Sequence, residues 1–188
     1  IKGGLVVSCQ SEEGSPFHHP DFMARFARCA EMGGAVGIRA KEPDIRAIKQ
    51  MCSLPVLGID KVYFEGFEVY ITPRFEDAQR IAAAGAELIA LDATPRPRPG
   101  GETAEEIIRR IKDELRLPVM ADISTVEEAA AAEEMGADLV ATTLCRCSWE
   151  TTRQEGTLCF QIPCIHKRMH LDSRSRPRRS RSSISNLR

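Results

Sequence analysis

Six short runs of apolar residues recur along the first three quarters of the chain, and nearly every position within each run is apolar. This pattern is typical of parallel strands with both faces covered, because a strand with one wet face alternates apolar and polar positions. We therefore predict six buried parallel strands. The runs are residues 5–9, 35–39, 55–59, 88–92, 118–122 and 137–142.

The segments between these runs have a helical pattern, with apolar residues near a spacing of 3.6 and charges on the opposite side. Gly33, Gly85 and Gly136 follow three of them, which is typical of helices that turn back into strands. A further strand-like segment, residues 68–72, follows the third strand. The predicted helices are residues 21–32, 43–51, 74–84, 104–115 and 126–135.

The order of these elements predicts an α/β fold of repeated βα units with right-handed crossovers. Six strands and five helices are two strands short of a (β/α)₈ barrel, which usually has about 250 residues. We therefore predict an incomplete TIM-barrel domain over residues 1–145, and a separate tail over residues 146–188 that follows no folding pattern.

Charge and cysteine content divide the chain at the same place. Its 188 residues carry a net charge of −1, but residues 145–188 hold ten Lys or Arg against three acidic residues, a balance of +7 that leaves −8 for the rest. An odd count of seven cysteines, with no signal peptide pattern, predicts reduced thiols and a cytoplasmic protein. No apolar run approaches the roughly 20 residues that a membrane helix needs.

Polar residues stand at the carboxyl end of each predicted strand. In a parallel barrel this end carries the active site, and polar side chains are costly to bury without a partner or a purpose. We therefore expect the site here. The residues are Cys9, Gln10, Arg39, Asp60, Lys61, Asp92, Thr94, Asp122, Thr142 and Thr143.

Seven motifs in a fixed order make residues 1 to about 145 resemble the N-acylglucosamine-6-phosphate 2-epimerases. Any one of these motifs is weak evidence, whereas seven in the order of the family are specific. They are KGGLVVSCQ at 2–10, GGAVGIRA at 33–40, LPVLGI at 54–59 with Lys61, EVYITP at 68–73, ALDAT at 90–94, MADIST at 120–125 and TTL at 142–144.

The resemblance implies a (β/α)₈ barrel and a cofactor-free, metal-free isomerase that interconverts N-acetylmannosamine 6-phosphate and N-acetylglucosamine 6-phosphate in sialic-acid and amino-sugar breakdown. Lys61 matches the family's catalytic lysine. Gln10, Arg39 and Asp122 match positions that contact substrate. The implied partner is thus a small amino-sugar phosphate.

Each of these residues also has a purely structural interpretation. Lys61 is also explained as a solvated loop charge, Arg39 as the partner of an acidic neighbour, and Asp122 as a cap for the turn before the helix at Val126. His18 and His19, which precede Pro20, are better explained as helix-entry residues than as catalysts.

Two departures from the family pattern lie close to the expected site. The sequence PRPRP at 95–99 replaces a more basic segment, which leaves Arg96 and Arg98 to attract a phosphate. Asp60 stands where the family has an apolar residue, and a carboxylate beside Lys61 stabilises the ammonium form and so opposes its use as a base.

The tail lacks the family's second catalytic group, a glutamate after the seventh strand, and its glycine-rich phosphate site, although residues 161–165 weakly resemble the seventh strand. Three interpretations remain open: an out-of-frame, disordered segment, a basic nucleic-acid-binding segment, and a zinc site. The zinc site lacks a paired C-x-x-C motif and the nucleic-acid role is disfavoured. Its candidate ligands are Cys145, Cys147, Cys159, Cys164, His166 and His170.

A barrel that stops early leaves two strand edges unpaired, which predicts self-association, including a homodimer, and an insoluble or inactive product. Two other functions stay open at this point. One is an inactive barrel fragment whose basic tail binds nucleic acid, and the other is a different sugar-phosphate isomerase or aldolase on the same barrel.

Overall fold

The structure is a computed structural model that describes residues 3–145 and the short strand at 165–167. Its centre is one sheet in which neighbouring strands follow the order of the sequence. The first six strands are parallel to one another. They are β1 (Val6–Cys9), β2 (Gly37–Lys41), β3 (Val56–Ile59), β4 (Leu88–Asp92), β5 (Val119–Asp122) and β6 (Leu139–Ala141).

A helix follows each of the first five strands, as βα units require. The helices are α1 (Pro20–Met32), α2 (Glu42–Met51), α3 (Phe75–Ala84), α4 (Ala104–Arg110), which continues as a π-turn over Ile111–Leu115, and α5 (Val126–Glu134). The prediction of six parallel strands and five helices in a partial barrel is therefore confirmed, and boundaries differ by one or two residues.

Side chains at the helix ends fix where the helices begin and end. His19 caps α1, since its Nδ1 accepts a hydrogen bond from the Asp21 amide at 3.2 Å, which agrees with the helix-entry role predicted for it. Thr125 and Glu128 form a reciprocal capping box at the start of α5. Gly85 ends α3 with φ of 103°, a conformation that favours glycine.

Two apolar layers cover the two faces of the sheet. The larger layer lies between the sheet and the helices and includes Ile38, Ile45, Ile81 and Ile89. A smaller cluster that contains Leu57, Ile59, Leu88, Ala90, Met120 and Ala141 lies on the other, concave face. The concave face corresponds to the interior of a barrel.

The segment after β3 positions the residues at that strand's carboxyl end. Lys61 forms a backbone bridge with Ile71, and the Thr72 amide donates to the Asp60 carbonyl at 2.7 Å. Tyr63 and Tyr70 stack at 5.1 Å between ring centroids. The strand-like segment predicted at residues 68–72 is thus confirmed only as a short bridge, and it anchors Lys61 on a folded hairpin.

The seventh strand of the sheet, β7 (Ile165–Lys167), pairs antiparallel with β6. A (β/α)₈ barrel needs a parallel strand at that place, so β7 is not the seventh barrel strand that residues 161–165 suggested. At residues 165–167 the strand contradicts the disorder predicted for residues 146–188. The rest of that prediction, the nucleic-acid role of the tail and most of the zinc ligands concern residues outside the described part of the chain.

In the described part of the chain, the helices are all too short or too polar to cross a membrane.

Candidate active site

A buried ion pair joins two of the predicted site residues across the sheet. Arg39 at β2 donates two hydrogen bonds to Asp122 at β5, from Nη1 to Oδ1 at 3.1 Å and from Nη2 to Oδ2 at 2.5 Å. The Arg39 side chain is 9% exposed and that of Asp122 is fully buried. Since β3 and β4 lie between the two strands, this contact is possible only on the concave face.

A third residue completes this group. The Thr143 hydroxyl, just after β6, donates to Asp122 Oδ1 at 2.7 Å. Both oxygens of Asp122 are therefore satisfied, and the carboxylate does not cap the turn before α5. The acidic partner expected for Arg39 in its structural interpretation is therefore Asp122.

Lys61 lies at the carboxyl end of β3 with its side chain 22% exposed. Its Nζ donates to Oε1 of Glu12, a residue of the β1–α1 loop, at 3.1 Å. This hydrogen bond and the charge of Lys61 lower the pKa of Glu12 below its ordinary value. The Glu12 carboxylate is therefore held in its ionised form by its pairing with Lys61.

Asp60 is next to Lys61 in sequence, but its carboxylate does not pair with that lysine. Its carboxylate accepts a hydrogen bond from Arg80 of α3 at 2.7 Å, and Arg80 also binds the buried Asp77. The cation on α3 thus neutralises Asp60, and Glu12 is the carboxylate that pairs with Lys61.

Gln10 follows β1, and its Nε2 donates to Ser8 Oγ at 2.7 Å. Ser8 is the register partner of Arg39, which places Gln10 one layer above the ion pair on the same side of the sheet. Among the described residues no hydrogen bond joins Gln10 or Lys61 to Arg39 or Asp122. Of the four predicted residues, Arg39 and Asp122 therefore form one bonded pair, whereas Lys61 and Gln10 each bind other residues.

A cleft of about 520 Å³ opens beside Lys61. It is lined by charged and imidazole side chains of the β1–α1 loop and of the residues that follow β2 and β3, among them Glu12, His18, Lys41 and Asp44. Burial raises the pKa of Asp44, against the opposing effect of Lys41. Such a mixed-charge cleft suits a small, polar molecule.

The loop after β4 differs from the sequence-based expectation. Arg98 is 4% exposed and its Nη2 donates to the carbonyls of Asp92 at 2.8 Å and Thr94 at 3.3 Å. Desolvation lowers the pKa of Arg98. Arg96 lies 3.5 Å from Glu68 at the surface. Arg98 is therefore buried and bound to the backbone through Nη2, its Nη1 has no partner among the described residues, and the attraction of a phosphate by Arg96 and Arg98 stays a prediction.

Asp92 lies at the end of β4, fully buried. Its Oδ1 accepts hydrogen bonds from the Thr94 amide at 2.9 Å and the Thr94 hydroxyl at 2.6 Å. Its Oδ2 is buried without a partner in the described part of the chain. No group of three or more His, Cys, Asp or Glu that suits a metal ion occurs among residues 3–145.

This fold, with opposite charges gathered at the carboxyl ends of parallel strands, places the chain in the class of (β/α) barrel folds, whose functional sites lie at that end. Comparison with known proteins narrows the class. Residues 23–161 match the family model described as "Putative N-acetylmannosamine-6-phosphate epimerase". The chain belongs to this family of isomerases.

Individual relatives agree. A protein of Caldanaerobacter subterraneus subsp. tengcongensis named "Putative N-acetylmannosamine-6-phosphate 2-epimerase" is 49% identical over 146 residues, which cover 77% of this chain and 62% of that protein. A relative of the same name from Cutibacterium acnes is 46% identical over 173 residues, which cover 92% of this chain and 75% of that protein.

A solved structure, that of N-acetylmannosamine-6-phosphate 2-epimerase from Clostridium perfringens, superposes with a TM-score of 0.74 at 42% identity. The match covers 77% of this chain and 63% of that one. The chain thus spans less than two thirds of the length of several relatives that it matches.

The sequence alone did not indicate the two partners, Glu12 and Thr143, that hold Lys61 and Asp122. Thr143 is one of the polar residues at the carboxyl ends of the strands, so its sequence position already indicated that it lies at the site. Glu12 lies in a loop of acidic residues with no periodicity, and only the fold brings it to Lys61.

Proposed function

We propose that this protein interconverts N-acetylmannosamine 6-phosphate and N-acetylglucosamine 6-phosphate by moving a proton at C2, with Lys61 as the proton carrier. The observation that supports this most directly is the position of Lys61, at the mouth of a polar cleft and at the carboxyl end of a barrel strand, in a chain of the epimerase family.

The reaction begins with the open-chain sugar, in which the C1 aldehyde makes the C2 hydrogen acidic. The neutral amine of Lys61 removes this proton, the C2–H electron pair forms a C1–C2 double bond, and the carbonyl electrons move to O1. Inversion needs a proton at the opposite face of C2, supplied there by solvent water or by the Lys61 ammonium after the intermediate turns over, and the electrons moving back from O1 then give the epimer. Return to the same face regenerates the substrate.

Glu12 holds the Nζ of Lys61 at the cleft through a hydrogen bond of 3.1 Å. Because Glu12 is 73% exposed, the contribution of this ion pair is small, about 1 kcal/mol or less.

Gln10, Arg39 and Asp122 are proposed to contact the substrate. The guanidinium of Arg39 uses Nη1 and Nη2 for Asp122, so a substrate oxygen would be bound through its remaining N–H groups. The Gln10 amide is half-buried at the end of β1 and suits a hydroxyl or carbonyl oxygen.

The pathway, the compartment and the oligomeric state of the protein are proposals as well. We propose a role in sialic-acid and amino-sugar breakdown in the cytoplasm, which the free thiols of Cys9, Cys29, Cys52 and Cys145 support. Unpaired backbone groups on the outer edge of β1 support self-association as a homodimer.

The test incubates the purified 188-residue chain with three compounds: N-acetylmannosamine 6-phosphate, unphosphorylated N-acetylmannosamine and mannose 6-phosphate. Formation of N-acetylglucosamine 6-phosphate alone, lost in Lys61→Met and kept in Lys49→Met, supports the proposal and overturns the expectation, drawn from the unpaired strand edges, that the chain is insoluble or inactive. Lys49 is the matched control, because it pairs with Glu87 outside the cleft. Turnover of mannose 6-phosphate instead would favour another sugar-phosphate isomerase, and carbon–carbon cleavage would favour an aldolase.

A further inference from the structure

Asp92 has an unusual environment for a carboxylate at the end of a barrel strand. It is the register partner of Asp122 on the neighbouring strand, so both side chains lie on the same face of the sheet. That face is the concave one, because Asp122 reaches Arg39 across two intervening strands. Ala90 and Met120, two residues earlier on each strand, belong to the concave apolar cluster.

The two neighbouring carboxylates differ in how they are satisfied. Both oxygens of Asp122 accept bonds from Arg39, and Oδ1 also accepts from Thr143. Asp92 receives bonds only at Oδ1, both from Thr94. Its Oδ2 is buried and has no partner among the described residues. A buried polar oxygen without a partner loses its hydration and gains no hydrogen bond in return, so such atoms in native proteins call for an explanation.

The loop after β4 fixes the backbone at Asp92 but supplies no partner for its Oδ2 among the described residues. Arg98, buried beneath the loop, donates to the backbone carbonyls of Asp92 and Thr94 and so fixes the end of β4. The guanidinium makes no hydrogen bond to the Asp92 carboxylate, even though its own Nη1 lacks a partner among the described residues. The strand end is therefore rigid, and one acceptor stays free.

From this geometry we infer that Asp92 Oδ2 binds a hydroxyl group of the amino-sugar phosphate, as a further substrate-binding residue beside Arg39 and Asp122. This inference rests on the proposed function. A sugar hydroxyl is a neutral donor of suitable size, and it can satisfy the oxygen without placing a second cation beside Arg39. Both oxygens of Asp122 are already occupied by Arg39 and Thr143, so the free acceptor of the two neighbouring carboxyl groups is Asp92 Oδ2.

The test measures the affinity of the full chain for N-acetylmannosamine 6-phosphate by calorimetry, for the unaltered protein and for Asp92→Asn. Asparagine keeps an oxygen for Thr94 and replaces the free oxygen by an amide nitrogen. We expect a loss of about tenfold or more in affinity, since bonds to charged groups are the strong ones. Asp77→Asn is the control, because Asp77 is also fully buried but lies on α3, where it pairs with Arg74 and Arg80.

A role in stability alone would be distinguished with ligand analogues that lack the hydroxyl at C3 or at C4. One analogue should bind the unaltered protein about tenfold more weakly, and the same analogue should bind Asp92→Asn no more weakly than the parent sugar does. Equal affinity of unaltered protein and Asp92→Asn would overturn the inference and leave the proposed function standing. Absence of binding to the unaltered protein would overturn both.

Discussion

The ion pair between Arg39 and Asp122 should be the most energetically sensitive contact in the described part of the chain. Asp122→Asn keeps the shape of the side chain and a hydrogen-bond acceptor, but it removes the charge that balances Arg39. The Arg39 side chain is 9% exposed, so its cation cannot recover full hydration. Breaking one partner of a buried pair costs about 3–5 kcal/mol.

This loss is large compared with the total stability of a domain, which is typically about 5–15 kcal/mol. Urea unfolding followed by far-ultraviolet circular dichroism would measure it as a lower midpoint with an unchanged slope. The control is Glu114→Gln, which breaks an exposed pair with Arg110 at 2.7 Å and should leave the midpoint almost unchanged.

A second variant separates charge from packing. Replacing both partners, by Arg39→Met and Asp122→Leu, leaves no uncompensated charge and should recover most of the lost stability. A cost below about 1 kcal/mol for Asp122→Asn, or a double variant no more stable than the single one, would show that the pair is hydrated and that this reasoning is wrong.

Three further predictions concern other parts of the fold. Gly58→Ala should lower the free energy of unfolding by about 1–3 kcal/mol in urea, because the new Cβ would lie 2.2 Å from Ile81 Cγ2; an unchanged midpoint would contradict this. Burial raises the pKa of Cys9 to about 11, so iodoacetamide at pH 8 should modify the exposed Cys29 and spare Cys9, as mass spectrometry of peptides would show. Hydrogen bonds lower the pKa of Glu31 from 4.5 to about 2, so its contribution to stability is present above pH 4.5 and is lost as the pH falls towards 2. Acid unfolding of Glu31→Gln should lack this component, and identical pH profiles would refute it.

The order of strands and helices was predictable from the sequence because each element carries its own local signal. The strand at 88–92 is uniformly apolar up to Asp92, and the helix at 126 begins with a capping box. Such signals depend on residues within one or two turns of each other, so no knowledge of the tertiary structure is needed.

The partners of the site residues were not predictable in the same way. Arg39 and Asp122 are 83 residues apart, and either was as compatible with a local partner as with this one. Lys61 and Glu12 are 49 residues apart. Asp60, next to Lys61 in sequence, was the more obvious partner for the lysine, but Asp60 binds Arg80 of α3 instead. Only the register of the parallel strands decides which charges meet.

The loop after β4 illustrates a different limit. A run of arginines and prolines usually lies in solvent, and burial of Arg98 depends on two backbone carbonyls that the fold turns towards it. The antiparallel pairing of β7 is similar, since a segment of three residues does not specify the direction of its pairing.

The central claim, that Lys61 moves the C2 proton of an amino-sugar phosphate, is tested most directly by hydrogen exchange. N-acetylmannosamine 6-phosphate would be incubated in D₂O with the protein, and the C2 proton followed by nuclear magnetic resonance. We predict loss of the C2 signal with the unaltered chain and with Lys49→Met, at a rate equal to or above that of epimer formation, and none above background with Lys61→Met. Retention of the C2 proton while the epimer accumulates, or exchange that persists in Lys61→Met, would contradict the claim.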